Sequence, residues 1–192
     1  MSKINPFKPN SPVPVGMFAG RYNEISALEK GLYQTKNNQS SNFLIIGERG
    51  IGKSSLMMLL KHFSQGEIET MQYGKFNYVT INTIISSETN LVTLIKLIEK
   101  QISREIGKLE VLRKFLGETW SFLQRIKIMD SGIEAKNSIN EPDIIIDEFS
   151  YSLANTCKRI TNPEKGETAK DGILFLIDET ECITRFKNRV FL

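Results

Sequence analysis

The feature that most constrains this chain is a glycine-rich stretch that lies between an apolar run and a helical pattern. The stretch reads Gly47-Glu48-Arg49-Gly50-Ile51-Gly52-Lys53-Ser54 and follows the apolar residues 43–46. Its spacing matches G-x-x-x-x-G-K-[ST], the P-loop, which joins the end of a strand to the start of a helix. Glycines let successive backbone N–H groups point inward as a nest for an anion. Because a helix N-terminus also favours negative charge, the stretch predicts a polyphosphate site.

Three side chains of this stretch have predicted roles toward a nucleotide. Lys53 brings a positive charge to the β- and γ-phosphates, and the Ser54 hydroxyl is a candidate ligand of Mg²⁺. Ser55 is a further candidate donor to the α-phosphate. The alternative is a glycine turn that binds nothing, but the apolar residues on both sides disfavour it. The expected ligands are therefore ATP and Mg²⁺.

A second constellation lies near the end of the chain, where Ile173-Leu174-Phe175-Leu176-Ile177 precedes Asp178 and Glu179. Five apolar residues in a row are typical of a parallel strand that is buried on both faces. Carboxylates at the C-terminal end of such a strand lie where α/β sheets carry their sites. Asp178 is expected to hold a Mg²⁺-bound water, and Glu179 to orient or deprotonate the attacking water. A strand that merely ends in an acidic turn is the alternative.

The rest of the chain predicts an α/β fold with helices on either side of these motifs. Residues 1–16 contain four prolines and are expected to be extended, whereas residues 17–192 form the domain. Apolar residues at three- and four-residue spacing predict helices, and alternating residues predict a strand at 75–83. The predicted helices begin near Ile25, Ser54, Leu91 and Asp143, with a less regular helical stretch at 108–130.

Composition excludes several classes of protein. The chain of 192 residues is 40% hydrophobic, enough for one sizeable core, and its net charge of +3 is too small to indicate nucleic acid. It has no apolar segment that suits a signal peptide or a membrane span. Cys157 and Cys182 lack metal-site spacing and are expected to be buried free thiols. These observations predict a soluble cytoplasmic protein without a membrane partner.

The two motifs together allow a resemblance to be stated. Residues 47–54 and 173–179 resemble the Walker A and Walker B motifs of P-loop ATPases that use a glutamate after the Walker B aspartate. The segment Phe18-Ala19-Gly20-Arg21-Tyr22-Asn23-Glu24 is similar to the F-x-G-R-x-x-E box of AAA+ and STAND-type ATPases, notably the Orc1/Cdc6-like and archaeal ATPase groups. The resemblance implies a three-layer αβα P-loop NTPase fold with a parallel sheet. It also implies that Val15, Phe18 and Arg21 lie near the adenine.

The chain departs from this family at its C-terminus. The family continues past Walker B with a sensor strand, an arginine finger and a helical lid, whereas this sequence stops at Leu192. In the family's strand order, 5-1-4-3-2, the next strand would lie between the P-loop strand and the Walker B strand. We therefore expect a fold that is incomplete at the C-terminus, which belongs either to a truncated gene product or to the N-terminal part of a larger protein. Self-association, or binding of a partner protein or DNA, is expected through the missing regions.

Three functions remain open from the sequence. The first is Mg²⁺-dependent hydrolysis of ATP, and the second is a nucleotide-dependent switch with little turnover that acts on DNA or a protein. The third is an inert remnant that keeps the motifs. GTP is disfavoured because the chain has no N-K-x-D segment, and kinase activity is disfavoured because Asp178 and Glu179 suit water activation. His62, the only histidine, is expected to have a surface or packing role.

Overall fold

The computed structural model of the chain describes residues 19–86, 89–106, 142–163 and 168–179. These residues form a mixed α/β structure of four helices and one two-stranded parallel sheet. The helices are α1 (Tyr22–Lys36), α2 (Lys53–Ser64), α3 (Leu91–Ile106) and α4 (Pro142–Thr161), and the strands are β1 (Val79–Ile84) and β2 (Ile173–Asp178). The chain divides into two compact units, Met1–Tyr78 and Val79–Leu192. Each unit is described by itself.

In the first unit, α1 packs against α2 because each helix carries an apolar stripe on one side. The buried apolar side chains of the two helices are Leu28, Leu32, Leu56, Leu59, Leu60 and Phe63. Burial of one such side chain stabilises a fold by about 1.5–3 kcal/mol, so this interface contributes to the stability of the unit. Both helices confirm the predictions that were made from the spacing of apolar residues.

The last segment of the first unit, residues 71–78, makes three kinds of contact with α1. The hydroxyl of Tyr78 donates a hydrogen bond to the carbonyl oxygen of Leu32. The rings of Tyr33 and Tyr73 stack with their centroids 4.6 Å apart. Glu29 is buried, and its Oε1 atom accepts a hydrogen bond of 3.2 Å from the backbone N–H of Met71. These contacts hold α1 in a defined position against this segment.

The prediction of a strand at residues 43–46, directly before the glycine-rich stretch, is wrong. These residues form no strand, and the side chains of Leu44 and Ile46 are 75% and 83% exposed. The ring of Phe43 lies against Gly31 of α1, at the place that a Cβ atom of Gly31 would occupy. A strand requires ladder hydrogen bonds from a neighbour. Within the described residues, β1 and β2 supply these bonds to each other alone.

In the second unit, β1 and β2 pair in parallel, with Val79 opposite Ile173 and Ile84 opposite Asp178. One face of this pair packs against α3, whose apolar residues recur at helical spacing. The buried members of this core are Val79, Ile81, Ile85, Leu94, Ile95, Ile98, Ile102 and Ile160. The core confirms α3 and α4 as amphipathic helices. It also fixes the direction of the two strands, so that both end at the same edge of the sheet.

Two strand predictions need correction in detail. The strand predicted for 75–83 begins only at Val79, because Phe76 and Tyr78 are buried in the first unit without ladder partners. The predicted strand at 173–177 is present as β2, but most of its side chains are half-buried and only Leu176 is buried. It therefore lacks the full burial on both faces that its apolar run indicated.

The remaining expectations concern termini, cysteines and membranes. Cys157 is a free, half-buried thiol on α4, and burial raises its pKa, while a backbone hydrogen bond with Ile173 opposes that increase. Cys182, the extended segment 1–16 and the helical stretch 108–130 lie outside the described residues. Among the helices that the structure describes, none is long and apolar enough to cross a membrane.

Candidate functional site

The glycine-rich stretch forms a curled loop that ends at the first turn of α2. Gly50 and Gly52 have φ angles of +84° and +97°, values in the left-handed region that residues with a Cβ atom rarely adopt. The N–H of Ile51 lies 3.4 Å from the carbonyl oxygen of Glu48, which closes a turn inside the loop. Gly52 is the N-cap of α2, and its carbonyl accepts the N–H of Leu56 at 3.0 Å. The loop thus reverses direction and delivers its backbone into a helix N-terminus.

Lys53 lies across this loop. Its Nζ atom donates hydrogen bonds to the carbonyl oxygens of Gly47 at 2.7 Å and Glu48 at 3.1 Å. The first turn of α2 contains no acidic residue, whereas Lys61 and His62 lie in its last turn. The positive end of the helix dipole is therefore not neutralised by a carboxylate in that turn, and the ammonium group adds to it. The arrangement favours an anion at the loop.

The other side chains of the stretch have different environments. Ser54 is exposed at the start of α2, so its hydroxyl is accessible to solvent, whereas Ser55 is buried. Glu48, Arg49 and Ile51 are exposed on the loop. The exposure of Ser54 is compatible with its predicted role as a metal ligand, which stays a prediction.

Arg21, which the resemblance placed near an adenine, contacts the loop itself. Its guanidinium donates a hydrogen bond to the carbonyl oxygen of Ile51. Arg21 is the N-cap of α1 and has a φ of +54°, and Gly20 before it has a φ of +82°. Sequence reasoning missed this contact, because nothing in a spacing of 30 residues indicates it. Adenine binding by Arg21 stays a prediction, and Val15 and Phe18 lie outside the described residues.

The acidic end of β2 is in the second unit. Asp178 is the last residue of β2 and lies opposite Ile84, the last residue of β1, so this pair marks the C-terminal ends of both strands. Glu179 is exposed and has a φ of +60°, an uncommon value for a residue other than glycine. Its N–H donates a hydrogen bond of 2.9 Å to Oδ1 of Asp178. The chain therefore turns sharply after β2 and presents the Glu179 side chain to solvent.

The left-handed backbone at Glu179 is strained, and strained backbone often marks functional sites, although it costs of the order of 1–3 kcal/mol.

Within the described residues, no three His, Cys, Asp or Glu side chains come together as a metal site. That finding does not bear on Mg²⁺ at a nucleotide, which is commonly held by one or two protein oxygens together with phosphates and waters. The metal-binding roles of Ser54, in the first unit, and of Asp178, in the second, stay predictions.

His62 lies at the other end of α2 from the loop. Its Nδ1 atom pairs with Oε2 of Glu67, which follows the helix, and the contact is exposed. This position agrees with the predicted surface role and gives His62 no contact with the glycine-rich loop.

The comparisons with known proteins provide no further identification. No family model matches this chain, and no curated protein or solved structure was found to be similar to it.

Proposed function

We propose that this chain is a P-loop ATPase of the AAA+/STAND type that binds ATP with Mg²⁺ and hydrolyses it to ADP and phosphate. The observation that carries the proposal is the loop at residues 47–52, which has two left-handed glycines and leads into α2 with Lys53 across it. Backbone N–H groups, a helix N-terminus and an ammonium group are the donors that a triphosphate requires.

Each candidate residue has a defined task in this proposal. Lys53 donates from its ammonium group to phosphate oxygens, beside the carbonyls of Gly47 and Glu48, and stabilises the charge that develops on those oxygens. Ser54 is proposed as an oxygen ligand of Mg²⁺, Asp178 as the residue that binds this metal through a metal-bound water, and Ser55 as a donor to the α-phosphate. Glu179 is proposed to orient the attacking water, a task for which its solvent-exposed side chain is suited.

The proposal includes a finer description of the fold and of its location. We assign the chain to the three-layer αβα P-loop NTPase architecture, and we expect it in the cytoplasm. The parallel pairing of β1 with β2 and the packing of α3 on β1 support this assignment. Parallel strands require a crossover connection, and acidic residues after such a strand are typical of nucleotide sites in α/β sheets.

Titration of the purified chain with Mg-ATP tests the proposal, and Lys53→Ala is the decisive variant. A charge-assisted hydrogen bond contributes about 1.5–3 kcal/mol, so its loss should lower the affinity for ATP by roughly tenfold to a hundredfold or more. Lys61→Ala is the matched control, because it removes the same charge from the same helix two turns farther from the loop. Equal affinities for ATP in Lys53→Ala and the wild type would refute the proposal.

The rate of phosphate release decides between the two functions that share this site. Measurable turnover that requires Mg²⁺ supports the ATPase. Tight binding without turnover instead favours a nucleotide-dependent switch, for which a second copy of the chain, a partner protein or DNA is then the target. A parallel titration with GTP checks the base, because the sequence has no guanine-reading N-K-x-D segment and ATP should bind more tightly.

A further inference from the structure

The contact between Arg21 and the loop points to a task for this residue that differs from binding a base. The backbone of Arg21 is fixed by α1, because its carbonyl oxygen accepts the N–H of Ile25 at 3.0 Å. Two consecutive left-handed residues, Gly20 and Arg21, precede the helix. The Arg21 side chain makes no capping hydrogen bond to α1. It is directed instead to the loop, 30 residues further along the chain.

The guanidinium lies against one particular peptide group, the one that joins Ile51 to Gly52. It donates to the carbonyl oxygen of Ile51, and Nη2 is 3.9 Å from the position that a Cβ atom on Gly52 would occupy. A trans peptide is planar, so its C=O and its N–H point in opposite directions. A donor that holds the Ile51 carbonyl on one side therefore directs the Gly52 N–H to the other side.

Lys53 likewise donates hydrogen bonds to carbonyl groups at the start of the loop. Its Nζ atom binds the carbonyl oxygens of Gly47 and Glu48, so cationic side chains hold three of the loop carbonyls. The ammonium group of Lys53 has three donor hydrogens, which it shares between these carbonyls and any phosphate that it binds, whereas the Arg21 guanidinium, on another helix, holds the Ile51 carbonyl independently of them. Arg21 can therefore orient the Ile51–Gly52 peptide in both the empty and the filled loop.

We propose that Arg21 is a positioning residue, which holds the Ile51–Gly52 peptide so that the Gly52 N–H belongs to the phosphate nest. The inference rests on the proposed function, because it concerns the same loop. It differs from the adenine role that the resemblance implied, and the two make opposite predictions for a ligand that has phosphates but no base. A nest formed by preoriented N–H groups binds any polyphosphate, with or without a nucleoside.

The experiment compares Arg21→Ala with the wild type in titrations with Mg-ATP and with inorganic tripolyphosphate. We expect Arg21→Ala to weaken the binding of both ligands by a similar factor, about tenfold, as for one surface hydrogen bond from a charged group. Lys30→Ala, which removes one positive charge from an exposed position on the same helix, is the matched control and should bind both ligands like the wild type. Weaker binding of ATP alone would indicate contact with the base and overturn the inference, as would unchanged binding of both ligands.

A measurement without nucleotide separates this inference from the proposed function. In protein labelled with ¹⁵N-glycine, the Gly52 amide resonance, assigned by its loss in Gly52→Ala, should shift in Arg21→Ala and stay in place in Lys30→Ala. An unchanged Gly52 resonance in Arg21→Ala would overturn the inference even if ATP binding fell. If the wild type binds neither ligand, the proposed function fails, while the resonance still shows whether Arg21 orients this peptide.

Discussion

Replacement of Gly66 by alanine tests how the C-terminal end of α2 is joined to the rest of the first unit. Gly66 follows the helix with a φ of +72°, and its N–H donates to the carbonyl oxygen of Phe63 at 3.0 Å. A Cβ atom at this position would come within 2.5 Å of the carbonyl oxygen of Phe76. The backbone that carries this oxygen is held against the end of α2, because the N–H of Tyr78 donates a hydrogen bond of 2.8 Å to the carbonyl oxygen of Ser64. Alanine therefore cannot be accommodated by a simple side-chain movement.

The expected loss of stability is the sum of three terms. A left-handed residue with a Cβ atom costs about 1–2 kcal/mol, and overpacking against fixed backbone costs about 1–3 kcal/mol. The lower entropy of the unfolded alanine chain returns about 0.4–1 kcal/mol. The free energy of unfolding of Gly66→Ala should therefore fall by about 1–5 kcal/mol, with a central value near 3 kcal/mol.

Gly74→Ala is the matched control in the same unit. Gly74 has a φ of +70°, but the nearest atom to an added Cβ is Oε1 of Glu69 at 4.0 Å, at the end of a flexible side chain. This variant should lose only the conformational term, about 0.5–1 kcal/mol. Urea unfolding followed by far-UV circular dichroism gives both values. Equal losses in the two variants would show that the close approach between Gly66 and Phe76 does not exist and would refute the reasoning.

Two further predictions concern the second unit. Glu179→Gln should keep the affinity for ATP and abolish phosphate release, and wild-type release by this variant would mean that another group positions the water. Burial raises the pKa of the Cys157 thiol, so the unfolded chain loses this proton at a lower pH than the folded protein does. The contribution of the protonated thiol to stability is therefore complete at neutral pH and is lost as the pH rises from the ordinary thiol pKa through the raised pKa of the folded state. Over this pH range, the urea midpoint should fall less steeply with pH in Cys157→Ala than in the wild type. Equal slopes in the two proteins would contradict a raised pKa of the buried Cys157 thiol.

The helices of this chain could be predicted from the sequence because their apolar residues repeat with the helical period. Leu94, Ile98 and Ile102 are all buried on one side of α3, as their spacing predicted. The strand β2 could be predicted as well, since a short apolar run bounded by polar residues suits a parallel strand. In these elements the local pattern and the packed structure agree.

The run at 43–46 shows where such reasoning fails. The apolar composition of this run favours extended backbone. A β-strand also needs a neighbouring strand as its hydrogen-bond partner, and the composition of the run does not indicate whether such a strand is present. The contact of Arg21 with Ile51 could not be predicted for a related reason. It depends on two left-handed residues and on the packing of α1 against α2, which together place a side chain beside a loop far along the chain. The curl of the loop, by contrast, was predicted from its glycines, and the structure shows Gly50 and Gly52 with positive φ angles that glycine adopts without strain.

The exposed run at 43–46 also affects how the protein behaves at high concentration. Phe43-Leu44-Ile45-Ile46 has high β propensity, carries no charge and contains no proline, and its backbone lies outside the described sheet. Segments of this kind, when accessible, are templates for pairing between copies of a chain and so for aggregation. A bound nucleotide at the adjoining loop would favour the folded state by mass action. The same four residues that introduce the loop thus form a segment that is suited to β pairing between copies of the chain.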